Sequence, residues 1–337
     1  LALLNADWHS FEARQQASQA RGLMRGRGLG FYVESSGGGP EEEARITIHD
    51  DGAIDVVVGT FSHGQGHRTT YAQILSETLD VDFDSINIIQ GDTDAVHFGG
   101  GTGGSRSSQM GGIAVQRAAS GVLEDAKVIA AEMLQAPLPS VSYAKGIFSA
   151  STTDSQVSLP QVARAAKESQ FGGAGLTKLL RYNRGEGFTF PNGCHITEVE
   201  VDAETGVVNV VAYTAVDDCG RVINPLLATG QVHGGVVQGI GQALFENVVY
   251  DDDGQLLSGS LMDYAMPRAS HVGDIQVSFN EVLDPNNELG VKGIGEGGAC
   301  AAPSAVVNAV LDALAPLGVE SLDMPLTPER VWRSMRG

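Results

Sequence analysis

Three glycine-rich loops, each followed by a helix-like segment, constrain the fold of this chain more than any other feature. They lie at residues 59–66, 99–112 and 293–298. Glycine adopts backbone angles that other residues avoid, and a loop that opens a helix presents backbone N–H groups and the positive helix end to an anion. Taken singly, each loop is better explained by turn chemistry. With 44 glycines in the chain, about twice the usual share of roughly 7%, the pattern favours a ligand-lined protein.

The loops do not fit the common nucleotide motifs. None has the G-x-x-x-x-G-K-[ST] pattern, and none has G-x-G-x-x-G after a strand with an acidic residue about 20 positions later. The sequence therefore gives no support to a nucleoside triphosphatase or a simple NAD enzyme.

Charge and composition exclude other classes. The net charge of −20 repels nucleic acid and anionic membrane surfaces. Hydrophobic residues make up 42% and charged residues 18%, as in a globular protein. The apolar stretches 232–245 and 304–319 are interrupted by polar residues, so no transmembrane helix is predicted. We expect neither a nucleic-acid partner nor a membrane.

The cysteines and the first residues indicate compartment and origin. Cys194, Cys219 and Cys300 lie far apart without a C-x-x-C motif, so neither a disulfide framework nor an iron–sulfur cluster is predicted. A reducing compartment, the cytoplasm, fits best. The chain starts at Leu1 inside a helix-like run, which predicts a piece of a longer polypeptide.

Hydrophobic periodicity and turn dipeptides predict mixed helices and strands. Asp51-Gly52 and Thr205-Gly206 mark two hairpins. Helical spacing is predicted for 1–22, 64–80, 113–134, 159–168 and 230–246. The predicted divisions are an N-terminal helix of a truncated chain, a first subdomain, an excursion and a second subdomain, at 1–22, 23–140, 141–190 and 191–337.

Several side chains suggest metal sites, each with a plainer alternative. His63 and His67 have i, i+4 spacing, but the intervening Gly-Gln-Gly argues against a zinc helix. Asp92, Asp94 and His97 could bind a hard cation, although an Asx turn is the better interpretation. We predict no metal ligand among the side chains, and a hydrolase using His63, His67 and Asp92 is kept as a rival hypothesis.

Two further residues bear on catalysis. Ser105 lies in G-G-S-R-S, which lacks the second glycine of a nucleophile elbow. Glu296 is the only acid in VKGIGEGGACAAP, before a helix that Pro303 is expected to help start. Apolar surroundings would desolvate this carboxylate and suit it to act as a general base, whereas an exposed helix-capping Glu is the equal alternative.

Five segments in order resemble the large, molybdenum-binding subunit of the xanthine dehydrogenase / aldehyde oxidase / carbon monoxide dehydrogenase family. They are SHGQGHRTTYAQI, GDTDAVHFGGGTGGSRSSQMGG, VDDCGRVINP, GQVHGGVVQGIGQALFE and VKGIGEGGACAAPSAVVNA, at 62–74, 91–112, 216–225, 230–246 and 291–309. The resemblance covers about residues 21–330 and matches the C-terminal portion of that subunit. It implies an α+β molybdopterin-binding domain of the molybdenum hydroxylase type, with two interleaved subdomains.

The resemblance also implies a cofactor, molybdopterin cytosine dinucleotide with molybdenum. A dinucleotide with a pyrophosphate is a long anion, which suits three glycine loops. The residues implied to contact this cofactor are Gln65, Gly66, His67, Thr69, Thr102, Ser105, Ser107, Asp218, Cys219, Asn224, Gln231 and Lys292. Cys219 would pack against the cofactor, and Cys300 is expected to be a small buried residue.

By the same resemblance, Glu296 is the active-site glutamate, taking a proton from a water-derived oxygen as it attacks an electrophilic carbon. The substrate would be a small molecule, an aldehyde or an N-heterocycle. Electrons would leave through [2Fe-2S] clusters and FAD on an iron-sulfur subunit and an FAD subunit. GQGH and GSRS are most similar to the bacterial carbon monoxide and aldehyde branch.

The chain departs from the family at two points. Many relatives carry an aromatic residue before G-S-R-S, where this chain has Gly103-Gly104. The family's arginine–glycine loop is absent, so the N-terminal half of the large subunit is an expected partner and the chain alone is expected to be inactive. The alternative is a non-catalytic half-subunit that holds cofactor or assists assembly.

Overall fold

The computed structural model describes residues 1–168, 170, 173–185 and 187–336. The helices are α1 (Ala2–Asn5), α2 (Phe11–Gln19), α3 (His67–Leu79), α4 (Ile113–Met133), α5 (Leu159–Ala165), α6 (Pro225–Leu244), α7 (Gly297–Leu314) and α8 (Pro328–Ser334). The strands are β1 (Leu23–Val33), β2 (Glu41–Ile48), β3 (Ile54–Val58), β4 (Ile86–Ile89), β5 (Val141–Ala144), β6 (Ile147–Ala150), β7 (Gln156–Ser158), β8 (Leu176–Asn183), β9 (Asn192–Asp202), β10 (Val208–Asp218) and β11 (Ile275–Phe279).

The chain forms two compact units, and each is built from separate stretches of sequence. Unit 1 comprises Leu1–Ser35, Phe190–Leu283 and Ile294–Gly337, and unit 2 comprises Ser36–Thr189 and Asp284–Gly293. The predicted excursion 141–190 and second subdomain 191–337 include positions 169, 171, 172, 186 and 337, which lie outside the described residues.

Unit 1 is a four-stranded sheet covered by helices. The strand order is β1-β9-β10-β11, antiparallel except for the β10–β11 pair. Valines of β9 and β10 alternate into a core shared with α6 and α7, as expected of a sheet with one covered face. The turn at Gly206, with φ of 75°, joins β9 to β10 and confirms the predicted hairpin.

Unit 2 holds a second four-stranded sheet and a small three-stranded one. The orders are β4-β3-β2-β8 and β5-β6-β7. The hairpin predicted at Asp51-Gly52 is confirmed, because β2 and β3 pair about a glycine with φ of 95°. Part of the predicted excursion supplies β8, which pairs with β2 along its whole length. The long helix α4 packs on β2, β8 and α3.

The prediction of one continuous N-terminal helix over 1–22 is wrong, because two separate helices form there. Asp7 adopts a left-handed conformation with φ of 45°, so α1 ends before it and α2 begins only at Phe11. Left-handed residues interrupt the hydrogen-bond pattern of a right-handed helix.

Two expectations on α7 are also corrected. Pro303 lies inside the helix, which begins six residues earlier at Gly297. Cys300 is exposed, whereas burial was expected. Among the described residues, Gly297–Leu317 is long and apolar enough to cross a membrane by length and composition. In unit 1 this segment packs against β1 and α6, and a core helix has the same composition.

Candidate functional site

The first glycine loop of unit 2 leads directly into α3. Gly64 and Gly66 have φ of 115° and 80°, and Gly66 is the residue that precedes the helix. His67 is the first helical residue and only 4% exposed. Its Nδ1 lies 3.3 Å from the amide nitrogen of Gln90, and its Nε2 has no hydrogen-bond partner among the described residues. Burial, helped by the charge of His63, lowers the pKa of His67 to about 4.

Gln65 and Thr69 flank this histidine. The Gln65 side-chain oxygen accepts a short hydrogen bond from the backbone N–H of His63, which folds the loop back on itself. Thr69 lies in the first turn of α3, and both side chains are half-buried. The loop is thus held by its own side chain while the start of α3 faces it.

The second glycine loop of unit 2 lies against the first. A Cβ placed on Gly59 would be 2.4 Å from the Cα of Gly99, so the two backbones can approach only because both residues are glycine. The Thr102 hydroxyl donates to the carbonyl of Phe61 at 2.6 Å. The Phe61 ring lies over Gly101, where a Cβ would be 3.0 Å from the ring.

A buried arginine anchors the second loop. Arg106 is 2% exposed; its Nη1 donates to Glu42 at 2.6 Å and to the carbonyl of Gly101 at 2.9 Å. Its Nη2 donates to the carbonyl of Glu41 at 2.7 Å. Burial raises the pKa of the Glu42 carboxyl, and the neighbouring guanidinium opposes that rise. The ion pair therefore fixes the loop to β2.

Ser105, Ser107 and Lys292 converge in the same unit. Ser105 has φ of 52°, an uncommon angle for a residue other than glycine. A Cβ on Gly293, the residue after Lys292, would lie 2.6 Å from the Cβ of Ser105. The Ser107 carbonyl accepts a hydrogen bond of 2.9 Å from the Tyr71 hydroxyl. Ser107 is also the first residue of a π-helical turn that continues into α4. Such local strain is typical of functional loops.

Asp218, Cys219 and Asn224 hold the turn between β10 and α6 in unit 1. Asp218 accepts a backbone N–H from Gly220 at 2.9 Å and one from Val282 at 3.1 Å. Cys219 is buried, which raises the pKa of its thiol to about 12, so the sulfur is a neutral packing group. The Asn224 oxygen caps α6 by accepting a backbone N–H at 3.0 Å.

Gln231 and Glu296 are brought together, also in unit 1. The Gln231 amide donates to the carbonyl of Gly295 at 2.9 Å, which ties α6 to the third glycine loop. Glu296 follows and is the residue that precedes α7. Glu296 is exposed, so the desolvation expected from its apolar neighbours is not found, and its exposure before the helix agrees with the helix-capping alternative. An exposed carboxylate at a helix N-terminus is stabilised by the helix dipole.

The structure therefore divides the predicted site residues between the two units. In unit 2 it gathers Gln65, Gly66, His67, Thr69, Thr102, Ser105, Ser107 and Lys292. In unit 1 lie Asp218, Cys219, Asn224, Gln231 and Glu296. Sequence reasoning missed Phe61 and Arg106. The Arg106 contact had one visible signal, a lone arginine inside a glycine- and serine-rich segment.

The alternative metal sites suggested by the sequence lie among the described residues. No group of three or more His, Cys, Asp or Glu side chains within the described part of the chain could hold an ion. Asp92 accepts the backbone N–H of Asp94 at 2.9 Å, which confirms the Asx turn. His63 is exposed and contacts the edge of the Phe61 ring.

Comparison with known proteins identifies the class. The family of the molybdopterin cofactor-binding domain matches residues 2–273. The nicotine 6-hydroxylase large subunit of Paenarthrobacter nicotinovorans is 35% identical over 98% of this chain and 43% of its own length. The carbon monoxide dehydrogenase large chain of Hydrogenophaga pseudoflava is 33% identical over 98% of this chain and 43% of its own length. Quinoline 2-oxidoreductase from Pseudomonas putida 86 superposes with a TM-score of 0.90 at 34% identity, covering 99% of this chain and 45% of that one.

The chain belongs to the molybdopterin cofactor-binding domain family, and the resemblance and the fold class expected from its sequence are confirmed. It spans less than half the length of the curated relatives it matches. The residues present fit a pterin cofactor, because His67 Nε2 is a buried atom without a partner among the described residues, and Gly64 and Gly103 of the two loops have open space where a side chain would stand.

Proposed function

We propose that this chain supplies cofactor-holding residues and the catalytic base of a molybdenum hydroxylase. The substrate class is an aldehyde or an N-heterocycle, hydroxylated at carbon with water as the oxygen source. The observation that carries this proposal is the position of Glu296. Its carboxylate is exposed at the start of α7, after a glycine whose carbonyl is held by Gln231, in a chain that belongs to the molybdopterin family.

The cofactor would be molybdopterin cytosine dinucleotide. When bound, it supplies the two-electron oxidation chemistry. The Nε2 of His67, neutral at pH 7, would pair with a polar group of the ligand, and Thr102, Ser105 and Ser107 would contact its phosphates. Lys292 would add a positive charge, which suits a pyrophosphate.

Glu296 would accept a proton from the water-derived oxygen as that oxygen attacks the substrate carbon. A base needs access to its proton and a fixed place. Exposure of the carboxylate supplies the access, and the Gln231 hydrogen bond to Gly295 supplies part of the fixation.

The electrons would pass to [2Fe-2S] clusters and FAD on partner subunits. This proposal is supported by the relatives of the chain, one of which is a large subunit and another a large chain. The remainder of a large subunit would be a further partner, because the chain spans 43% of those relatives. We place the complex in the cytoplasm.

Substitution of Glu296 tests the proposal. In the assembled enzyme, Glu296→Gln keeps the shape of the side chain and removes the base, so we expect turnover to fall by about 10²- to 10⁴-fold with molybdenum content unchanged. Glu320→Gln, at an exposed acid of the same unit, is the control and should keep turnover. An unchanged rate for Glu296→Gln would favour the second candidate, a half-subunit that holds cofactor without catalysis.

A further inference from the structure

A row of side chains crosses the sheet of unit 1 beside the start of α7. Tyr32 of β1 and Asp217 of β10 both pair with Gly193 of β9, one from each side. Because Gly193 has no side chain, the Tyr32 hydroxyl reaches across it and donates to Asp217 Oδ1 at 2.9 Å. A Cβ on Gly193 would lie 2.2 Å from that oxygen and 2.6 Å from the tyrosine ring. The glycine is therefore a requirement of this contact.

A histidine extends the row. His195 Nε2 lies 3.1 Å from Asp217 Oδ1, and its Nδ1 lies 2.9 Å from the Tyr213 hydroxyl. His195 and Asp217 are fully buried, and the two tyrosines are 6% exposed or less. Burial raises the pKa of both phenols, so each hydroxyl keeps its proton and can donate. In the tautomer in which Tyr213 donates to Nδ1, Nε2–H donates to the Asp217 carboxylate.

The row ends at the helix that follows Glu296. Gly26, Gly28 and Gly30 of β1 face the helix backbone of α7, and a Cβ on any of them would lie 2.1–2.5 Å from a carbonyl oxygen there. At the next position of the same face, β1 carries a tyrosine, and α7 presents Gly297 to it. A Cβ on Gly297 would lie 2.4 Å from Tyr32 Oη.

The third glycine loop is thus held at two points, one on each side of Glu296. On one side Gln231 binds the carbonyl of Gly295 at 2.9 Å. On the other side the Tyr32 hydroxyl lies against Gly297, with its direction fixed by Asp217. Because Gly297 has no side chain, the Tyr32 hydroxyl packs directly against its backbone. A shift of the tyrosine would therefore shift the backbone next to Glu296.

We propose that Tyr32, oriented by Asp217 and His195, is a positioning residue that fixes the first turn of α7 and, through it, the carboxylate of Glu296. This inference rests on the proposed function, in which Glu296 is the base. The role is one of placement: the hydroxyl acts through the backbone of Gly297, and Asp217 is the acceptor that orients it. Displacement of a base by about 1 Å costs up to about 100-fold in rate.

Tyr32→Phe in the assembled enzyme tests the role, because it keeps the ring and removes the hydroxyl that lies against Gly297 and donates to Asp217. We expect kcat to fall by about 10- to 100-fold with KM within about twofold and molybdenum content unchanged. Amide exchange in the peptide 294–300 should be faster. Tyr143→Phe is the matched control, because that hydroxyl donates to the Leu79 carbonyl in the other unit. It should leave both kcat and the exchange of 294–300 unchanged.

Asp217→Asn is a second variant. An asparagine keeps an oxygen that accepts hydrogen bonds, so kcat should stay above that of Tyr32→Phe. If Tyr32→Phe matches Tyr143→Phe in kcat, or leaves the exchange of 294–300 unchanged, the positioning role is overturned. The separate Glu296→Gln rate decides whether Glu296 is the base, and the exchange measurement decides whether Tyr32 holds its loop. Failure of one proposal can therefore be told from failure of the other.

Discussion

His67 is buried at the first position of α3, with a ring nitrogen that finds no hydrogen-bond partner within the described ranges. Leaving such a group unsatisfied costs about 1–3 kcal/mol. A polar ligand bound at this junction of a glycine loop and a helix would supply the missing hydrogen bond and remove that cost. In unit 1, the Asp217 Oδ2 atom is likewise buried without a hydrogen-bond partner among the described residues.

The lowered pKa of His67 predicts a pH dependence of stability. Unfolded histidine has a pKa near 6.5, whereas folded His67 has about 4, so between these values the unfolded chain binds more protons. Stability contributed by this group is therefore lost as the pH falls from 6.5 to 4, by up to about 1.4 kcal/mol per pH unit. Above pH 6.5 the group contributes no slope. Denaturant unfolding of the chain at several pH values measures this.

His67→Gln should flatten that dependence, because glutamine does not titrate. His97→Gln, at an exposed histidine of the same unit, is the control and should keep the parent slope. Equal slopes for the parent and His67→Gln between pH 6.5 and 4 would contradict the assignment.

In unit 1, β1 and α7 pack backbone against backbone. Glycines at every second position of the strand face alanines at every fourth position of the helix, so the backbones touch. This pairing places the start of α7, and Glu296 with it, against the end of β1.

Gly28→Ala tests this pairing. Its added methyl would lie 2.1 Å from the carbonyl of Ala305 and 2.3 Å from the backbone nitrogen of Ala309, so the strand and helix must separate. We expect a loss of about 1–3 kcal/mol in unfolding free energy. Gly234→Ala in α6 meets no atom within 4 Å and should stabilise the chain by up to about 1 kcal/mol. Thermal unfolding of both variants compares the two, and equal stabilities would refute the close packing.

Elements defined by local rules were predictable from the sequence. The turns at Asp51-Gly52 and Thr205-Gly206 need only the preference of glycine for positive φ, and both hairpins form. The three loop-and-helix units follow from the same rule. Pro303 was misinterpreted because proline also occurs inside helices whose other contacts hold them in place.

Contacts between residues that are distant along the chain could not be predicted from the sequence. Tyr32 and Asp217 meet only because both pair with Gly193, residues that are far apart along the chain. The ion pair between Arg106 of the second glycine loop and Glu42 of β2 likewise joins residues that are far apart along the chain. Glu296 could be singled out because its G-E-G-G motif is local, but the sequence left an apolar and an exposed environment equally open, since burial is decided by how the whole unit packs.

At the scale of the whole molecule, each unit is assembled from distant stretches. The chain enters unit 2 at Ser36, leaves it after Thr189 and returns for Asp284–Gly293. Residues implied in cofactor binding therefore occur in both units, and Lys292 belongs to the short returning stretch. A net charge of −20 leaves an overall field that opposes anionic macromolecules, so a bound anion needs local backbone N–H groups and positive side chains.

Cofactor content is the prediction that belongs to this scale. The protein purified together with its natural neighbours should contain about one molybdenum per chain by elemental analysis, and acid hydrolysis should release cytidine monophosphate in equal amount. The chain purified alone should contain less of both, because relatives that carry the same region are more than twice as long. Molybdenum without cytidine monophosphate would agree with a molybdopterin cofactor but would reject its cytosine dinucleotide form. Absence of both from an active complex would mean that this chain keeps the fold of its family while another subunit carries the chemistry.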